Sequence, residues 1–279
     1  MRLASASMRE AGVRAPDVLF LMATGVHGFA DRLSGASEIP LEEIDGVVEP
    51  WKGALLRTGS TRGLSLWAID DLSGEPGFVA APAWASGFPA WLASASGASL
   101  CVHTSAGSLL PAQGTDASLS VGGFAFARDH LNLSGSSPLA GLGESRLGPL
   151  FPDLAQLHHL GLRRAALARA EALGLAAGEA VVACTAGPAL ETNAERAMLA
   201  RLGADVAVQS LAAPLHACAH AGLAVLAIVA LVDDGGSPAE VARLIDRARR
   251  TQPALEELLA LLLPDLQLAA SALAAERDE

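Results

Sequence analysis

The 279-residue chain contains no tyrosine, only three cysteines, and 19 basic against 30 acidic residues, for a net charge of −11. Each shortage excludes something. Three thiols, Cys101, Cys184 and Cys218, are odd in number and lie in apolar sequence, so they suit buried thiols in a reducing compartment rather than a disulfide framework. Scattered basic residues under an acidic excess leave no electrostatic footprint for nucleic acid or for an anionic membrane surface. The charged start, MRLASASMREAGVRAP, lacks the apolar core of a secretory signal. The apolar run 210–232 is interrupted by Pro214, His216, His220 and Gly222, and its continuous part, 223–232, is about half of the ~20 residues a membrane span requires. The expectation is a cytoplasmic protein with neither a nucleic-acid nor a membrane partner. A Walker loop, a nucleophile elbow and a Cys-x-x-Cys pair are also missing. His216-x-Cys218-x-His220 imitates a metal set, but on a helix the two histidines share a face from which Cys218 points away, so no metal is expected. The missing tyrosines and abundant alanines reflect genome composition more than function.

What is present is a large apolar fraction, 51%, enough to bury one core in one domain, 1–279, with residues 1–16 expected as a flexible N-terminus. Strand-like runs occur at 17–23, 54–57, 64–69, 99–103, 119–127, 180–185, 206–209 and 223–232. Helical periodicity marks 154–173, stopped by Gly174, and 238–250; a last leucine-rich helix, 253–276, should be kinked or split by Pro264. Strands alternating with helices imply an α/β fold: a three-layer sandwich with a mixed, mostly parallel central sheet flanked by helices.

The densest signal is 187–210, GPALETNAERAMLARLGADVAVQS. Thr192 and Glu195 have the spacing of a capping box, so a helix starts at about Asn193. Met198, Leu199 and Leu202 supply its apolar face, Gly203 ends it, and Asp205 leads into the strand 206–209. Glu191 lies outside this arrangement, just before the cap and at the mouth of the strand 180–185, where open α/β sheets bind ligands. By itself it reads either as a solvated loop acid or as a ligand-binding carboxylate. The loop 23–28 likewise reads either as a plain strand-to-helix turn or as an anion site built on backbone N–H groups and the Thr24 hydroxyl.

The order Gly-Pro-x-x-Glu-Thr-x-Ala-Glu, then Leu-x-x-Leu-Gly-Ala-Asp, resembles the trimeric branch of the purine nucleoside phosphorylase family, which includes methylthioadenosine phosphorylases. Thr24-Gly25-Val26-His27-Gly28 is similar to that family's Ser-Gly-Leu-Gly loop, and Arg128-Asp129-His130-Leu131-Asn132-Leu133 to its Arg-Asp-His-Ile-Asn-Leu segment. Ser137-Pro138-Leu139, Arg146-Leu147-Gly148 and Phe151-Pro152 follow in the family's order, and the likeness is collinear from 17 to 275. The resemblance implies a homotrimeric pentosyltransferase that cleaves purine nucleosides with phosphate as co-substrate and no cofactor. It implies phosphate contacts at Thr24, Thr104, Ser105 and Ser210, base contacts at Leu190, Glu191 and Asp233, and sugar contacts at Gln209 and at Phe151, donated across a subunit boundary. Glu191 and Asp233 would be the catalytic pair, Asp233 assisting departure of the base.

Departures accompany the likeness. The family's Gly-Arg-x-His-x-Tyr-Glu-Gly segment supplies a phosphate-binding arginine and a histidine; here the stretch reads IDDLSGEP, 69–76. Asp70 and Asp71 would repel phosphate, one like-charge contact at about 4 Å costing roughly 4 kcal/mol at an effective dielectric near 20. The ribose-binding histidine is replaced in the neighbourhood of Pro238, and Val182 stands at a tyrosine position. Two other readings follow: a catalytically silent homologue that binds purine or serves as an assembly subunit, and a hydrolase using water. Glu191 suits the N1–H of a 6-oxopurine, whereas an aspartate at 233 is the residue of 6-aminopurine enzymes. Two neighbouring buried carboxylates should share one proton, and guanine-type bases should bind better than adenine.

Overall fold

The computed structural model describes residues 1–23, 29, 34–61, 63–72, 81–111, 118–140, 142, 145–149, 151–209, 211–235 and 240–278. Its strands are β1 (Val18–Met22), β2 (Ser34–Pro40), β3 (Leu55–Thr61), β4 (Leu64–Asp70), β5 (Leu100–Leu109), β6 (Phe124–Asn132), β7 (Ala177–Thr185), β8 (Val206–Gln209) and β9 (Ala224–Asp233). The helices are α1 (Arg2–Glu10), α2 (Phe88–Ser96), α3 (Leu160–Ala172), α4 (Asn193–Arg201), α5 (Ala212–Ala221) and α6 (Val241–Asp278).

All strands join one sheet in the order β2-β3-β4-β1-β5-β8-β7-β6-β9, and β9 pairs again with β5. The second half of the sheet therefore closes into a ring. Central β1 is VLFLM, buried at every position, as expected of a parallel strand covered on both faces; it runs parallel to β4 and β5. Pairing is mixed: β5–β9, β6–β7 and β7–β8 are parallel, whereas β2–β3, β3–β4, β5–β8 and β6–β9 are antiparallel.

The twofold side-chain period of a strand divides the core between two layers. Leu19, Leu21, Trp67, Ile69 and Cys101 face one cluster, which takes in Met8 of α1, Phe88 and Trp91 of α2 and Leu215 of α5. Val18, Phe20, Leu66, Leu100 and Val102 face the other, completed by Leu162 and Ala166 of α3 and by α6. The sheet is thus sandwiched between helices.

Four segments differ from the sequence expectation. Residues 1–16 begin with α1, whose Ala4 and Met8 are buried against the core, so this stretch is held by packing rather than flexible. Helix α6 runs unbroken through Pro253 and Pro264. Its buried stripe, Leu255, Leu258, Leu259, Leu262, Leu266 and Ala270, repeats at three- and four-residue spacing and anchors the helix on both sides of Pro264. Each such leucine contributes about 1.5–3 kcal/mol on burial, which offsets the ~3 kcal/mol cost of an interior proline. The length and composition of α6 would suffice to cross a membrane; here that stripe packs against the sheet. Strands β5 and β6 also run further than their apolar cores, through Thr104–Leu109 and Arg128–Asn132, because β9 and β7 pair with them there.

Candidate active site

A cavity of about 400 Å³ opens where several strands end. Its wall takes Ala23 after β1, Asp71 after β4, His103, Ser105 and Ser108 of β5, Pro188, Leu190 and Glu191 after β7, Gln209 at the end of β8, and Val232 of β9. Val241, Leu244 and Ala248 of α6 close its apolar side. The structure thus brings Ser105, Leu190, Glu191 and Gln209 together.

The segment after β7 is held by its own hydrogen bonds. The Thr185 hydroxyl donates to Glu191 Oε1 at 2.6 Å, fixing one oxygen of the carboxylate. Gln209 Nε2 donates to the Ala189 carbonyl at 2.9 Å. Gly187, at φ 64°, adopts a conformation that favours glycine, and a Cβ there would displace the end of the Gln209 side chain. The capping box forms as read: Thr192 N–H donates to Glu195 Oε2 at 2.7 Å and Glu195 N–H to Thr192 Oγ1 at 3.2 Å. The buried face of α4 is different from the one expected. Arg196, Leu199 and Ala200 are buried, whereas Met198 and Leu202 are exposed, because α4 meets the sheet through Ala183 and Ala207.

Arg196 gives that face its meaning. Its guanidinium donates to the Leu109 carbonyl of β5 and lies 3.7 Å from Asp233 Oδ2. Arg247 approaches Asp233 Oδ1 at 3.8 Å, and Gly235 N–H donates to Asp233 at 3.1 Å. Asp233 is 2% exposed and is not among the residues lining the cavity, although Val232 is. The expected sharing of a proton between Glu191 and Asp233 is therefore not what forms. Each carboxylate has partners of its own, a hydroxyl for one and two guanidinium groups for the other, and no hydrogen bond links them among the described residues.

The opposite wall corrects a second expectation. Asp70 is turned to Arg57 Nη1 at 3.4 Å, and the same guanidinium binds Glu38 at 3.0 Å. Asp71 Oδ2 lies 3.1 Å from His103 Nε2, a carboxylate–imidazole pair with side chains only 6% and 2% exposed. The two aspartates are thus engaged by a guanidinium and an imidazole instead of confronting a ligand bare. His103 and Ser105, two residues apart on β5, share a strand face. His103 Nδ1 and Ser105 Oγ are buried with no hydrogen-bond partner among the described residues, a state that costs about 1–3 kcal/mol per group unless a ligand or water completes it.

Of the remaining sequence candidates, Thr24 and Ser210 lie outside the described residues. Thr104 is fully buried and absent from the cavity wall; alternation along β5 directs it opposite to His103 and Ser105. Phe151 is 88% exposed and away from the cavity wall. The side chains of His216-x-Cys218-x-His220 diverge: His216 faces His130, Cys218 lies in the core, and His220 meets Trp91 edge-on. His103 is the cavity residue that sequence reasoning missed, and Asp71, read there as a charge repelling phosphate, is its partner. The signal was a histidine inside the apolar strand LCVHTS, two residues before Ser105.

The Phosphorylase superfamily model matches residues 87–264. Purine nucleoside phosphorylase 1 of Geobacillus stearothermophilus is 28% identical over 226 residues, covering 79% of each chain. The purine nucleoside phosphorylase of Bos taurus is 24% identical over 265 residues, covering 90% of this chain and 89% of its own. The crystal structure of a schistosoma purine nucleoside phosphorylase in complex with hypoxanthine superposes with a TM-score of 0.84 at 18% identity, covering 94% of this chain and 95% of that one.

Proposed function

Because the chain belongs to the Phosphorylase superfamily, which it matches over more than half its length, we propose that it is a purine nucleoside phosphorylase-like pentosyltransferase. A phosphate oxygen bonds to the sugar C1′ as the C1′–N9 bond breaks; the bonding pair passes to the purine, which takes up a proton that the phosphate gives up in the overall balance and leaves as the free base, and pentose 1-phosphate remains. Relatives bearing the purine nucleoside phosphorylase name support this reading, as do neighbouring structures in complex with hypoxanthine and with adenosine. The observation that carries it is the single cavity wall shared by Ser105, Leu190, Glu191 and Gln209. Glu191, with one oxygen on Thr185, has the other for the N1–H of a 6-oxopurine. Gln209 contacts the sugar. Catalysis consists of positioning and of stabilising an oxocarbenium-like transition state with the incoming anion. Asp233 acts from behind the wall, holding the end of β9 through Arg196 and Arg247.

Assembly as a homotrimer belongs to the same proposal. It gives the protruding ring of Phe151, 88% exposed, a neighbouring sugar site to cover. A cytoplasmic location fits three free, buried thiols. The test is release of base from inosine, guanosine, adenosine and methylthioadenosine, with and without phosphate. Phosphate-dependent release with formation of pentose 1-phosphate is expected; no release from any of the four sinks the proposal, and release indifferent to phosphate replaces it with hydrolysis.

A further inference from the structure

Resting on that reading of the cavity, we infer that His103 binds the phosphate co-substrate in place of the arginine that the stretch 69–76 lacks, with Asp71 as its positioning residue and Ser105 as a second donor. Among the described residues lining the cavity, His103 is the only side chain able to carry a positive charge; none is Lys or Arg. Asp71 engages Nε2 at 3.1 Å, which fixes the ring and leaves Nδ1 without a partner among the described residues. Protonated there, the imidazole becomes a donor at both nitrogens, one to Asp71 and one to the cavity, and the Asp71 carboxylate compensates the charge in a buried place. Ser105 Oγ is the second unpartnered buried atom on the same face of β5. Two residues along a strand are separated by about 6–7 Å, a span that one small tetrahedral anion bridges with two of its oxygens. Glu191, the other carboxylate of the cavity, is held by Thr185 after β7 and belongs to the base side. Asp70, which would oppose an anion, is turned to Arg57 and is not among the residues lining the cavity.

Two substitutions separate this role from a structural one. In His103→Asn the amide nitrogen falls near the position of Nδ1; in His103→Gln it reaches toward Asp71 and leaves the Nδ1 position empty. Thermal unfolding of the full chain with added inorganic phosphate is the first readout, because a ligand of the folded state raises its stability. Phosphate should raise the melting temperature of the wild type, raise it less for His103→Asn, and leave His103→Gln unmoved. Steady-state kinetics is the second. The phosphate KM should rise at least about tenfold in His103→Gln and less in Asp71→Asn, with the nucleoside KM changed less than about threefold. A wild type whose unfolding ignores phosphate overturns the inference, as do equal responses of the Asn and Gln variants or a loss confined to the nucleoside KM. Phosphate stabilisation without cleavage of any nucleoside removes the proposed reaction and leaves this binding role intact; phosphorolysis with an unchanged phosphate KM in His103→Gln does the reverse.

Discussion

The two ends of the cavity are built on opposite plans. At the end formed by the segment after β7, Glu191 rests on Thr185 and Gln209 on Ala189, while Thr192 and Glu195 satisfy one another. At the β5 end, His103 Nδ1 and Ser105 Oγ are buried and unanswered among the described residues. At the first end these polar groups answer one another within the chain; at the second, two buried atoms have no partner among the described residues. Removing a hydrogen-bonded polar partner at the first end should therefore harm the free protein, whereas removing an unpartnered group such as the Ser105 hydroxyl at the second should harm only the liganded protein.

The largest effect should come from Arg196, the buried cation that ties α4 to β5 and to Asp233. Arg196→Met leaves a carboxylate at 2% exposure with one distant cation, and urea denaturation should show a loss of about 3–5 kcal/mol. A loss below about 1 kcal/mol, the worth of an exposed pair, would mean that this end is not held by its ion pairs.

Next is a histidine that, unlike His103, has no carboxylate hydrogen-bonded to it. His158 Nε2 lies 3.1 Å from His130 Nδ1, and burial first, then His130, pushes His158 down to about 4. Burial lowers His130 and His216 as well. These rings are neutral in the folded protein and protonate more readily in the unfolded chain. Their stabilisation is therefore full above about pH 6.5 and is lost as pH falls toward 4, on the order of 3 kcal/mol for His158. Unfolding measured between pH 7 and 4.5 should show that slope, and His158→Gln should flatten it.

Within the cavity, Glu191→Gln should weaken guanine binding by about 1–3 kcal/mol and adenine binding less, as titration calorimetry reads it. Equal losses for both bases would take Glu191 out of the base site. The smallest effects carry the sharpest contrast. Thr185→Val removes the hydroxyl from Glu191 and should cost the free protein about 1 kcal/mol, while Ser105→Ala removes a hydroxyl with no partner and should leave the free protein unchanged or slightly more stable. Destabilisation of the same size by both would erase the distinction between the two ends.

How much of this was legible in the sequence depended on how local the determining contacts are. The capping box, the start of α4 at Asn193, and β8 over Val206–Gln209 follow from residues within a few positions of one another, and all appear as read. The cavity residues Ser105, Leu190, Glu191 and Gln209 came from motif order, which carries the geometry of a whole family. What escaped depended on distant partners. The apolar run 99–103 stops before the small and polar stretch Thr104–Leu109, yet β9 and β8 make that stretch strand. Pro264 read as a kink or split and Pro253 as the start of a separate helix, yet leucines on either side of Pro264 hold one helix. Asp71 read as a charge confronting phosphate because its partner, His103, is 32 residues away and belongs to another strand. β2, SGASEIP, has no apolar alternation to announce it and forms by pairing with β3.

The return of β9 to β5 has a consequence for association. A strand with an unpaired flank is a template on which another chain can add, and a sheet normally has two such edges. Here β9 takes up a flank of β5 while also holding β6, so among the described strands the outer side of β2 is the single open edge. That edge is blunted three ways, by the register shift between Ser34 and Ser37, by the charge of Glu38, and by Pro40, which has no N–H to offer. Copies of this chain are consequently steered away from joining sheet to sheet, and a stable oligomer must be built from helices and loops.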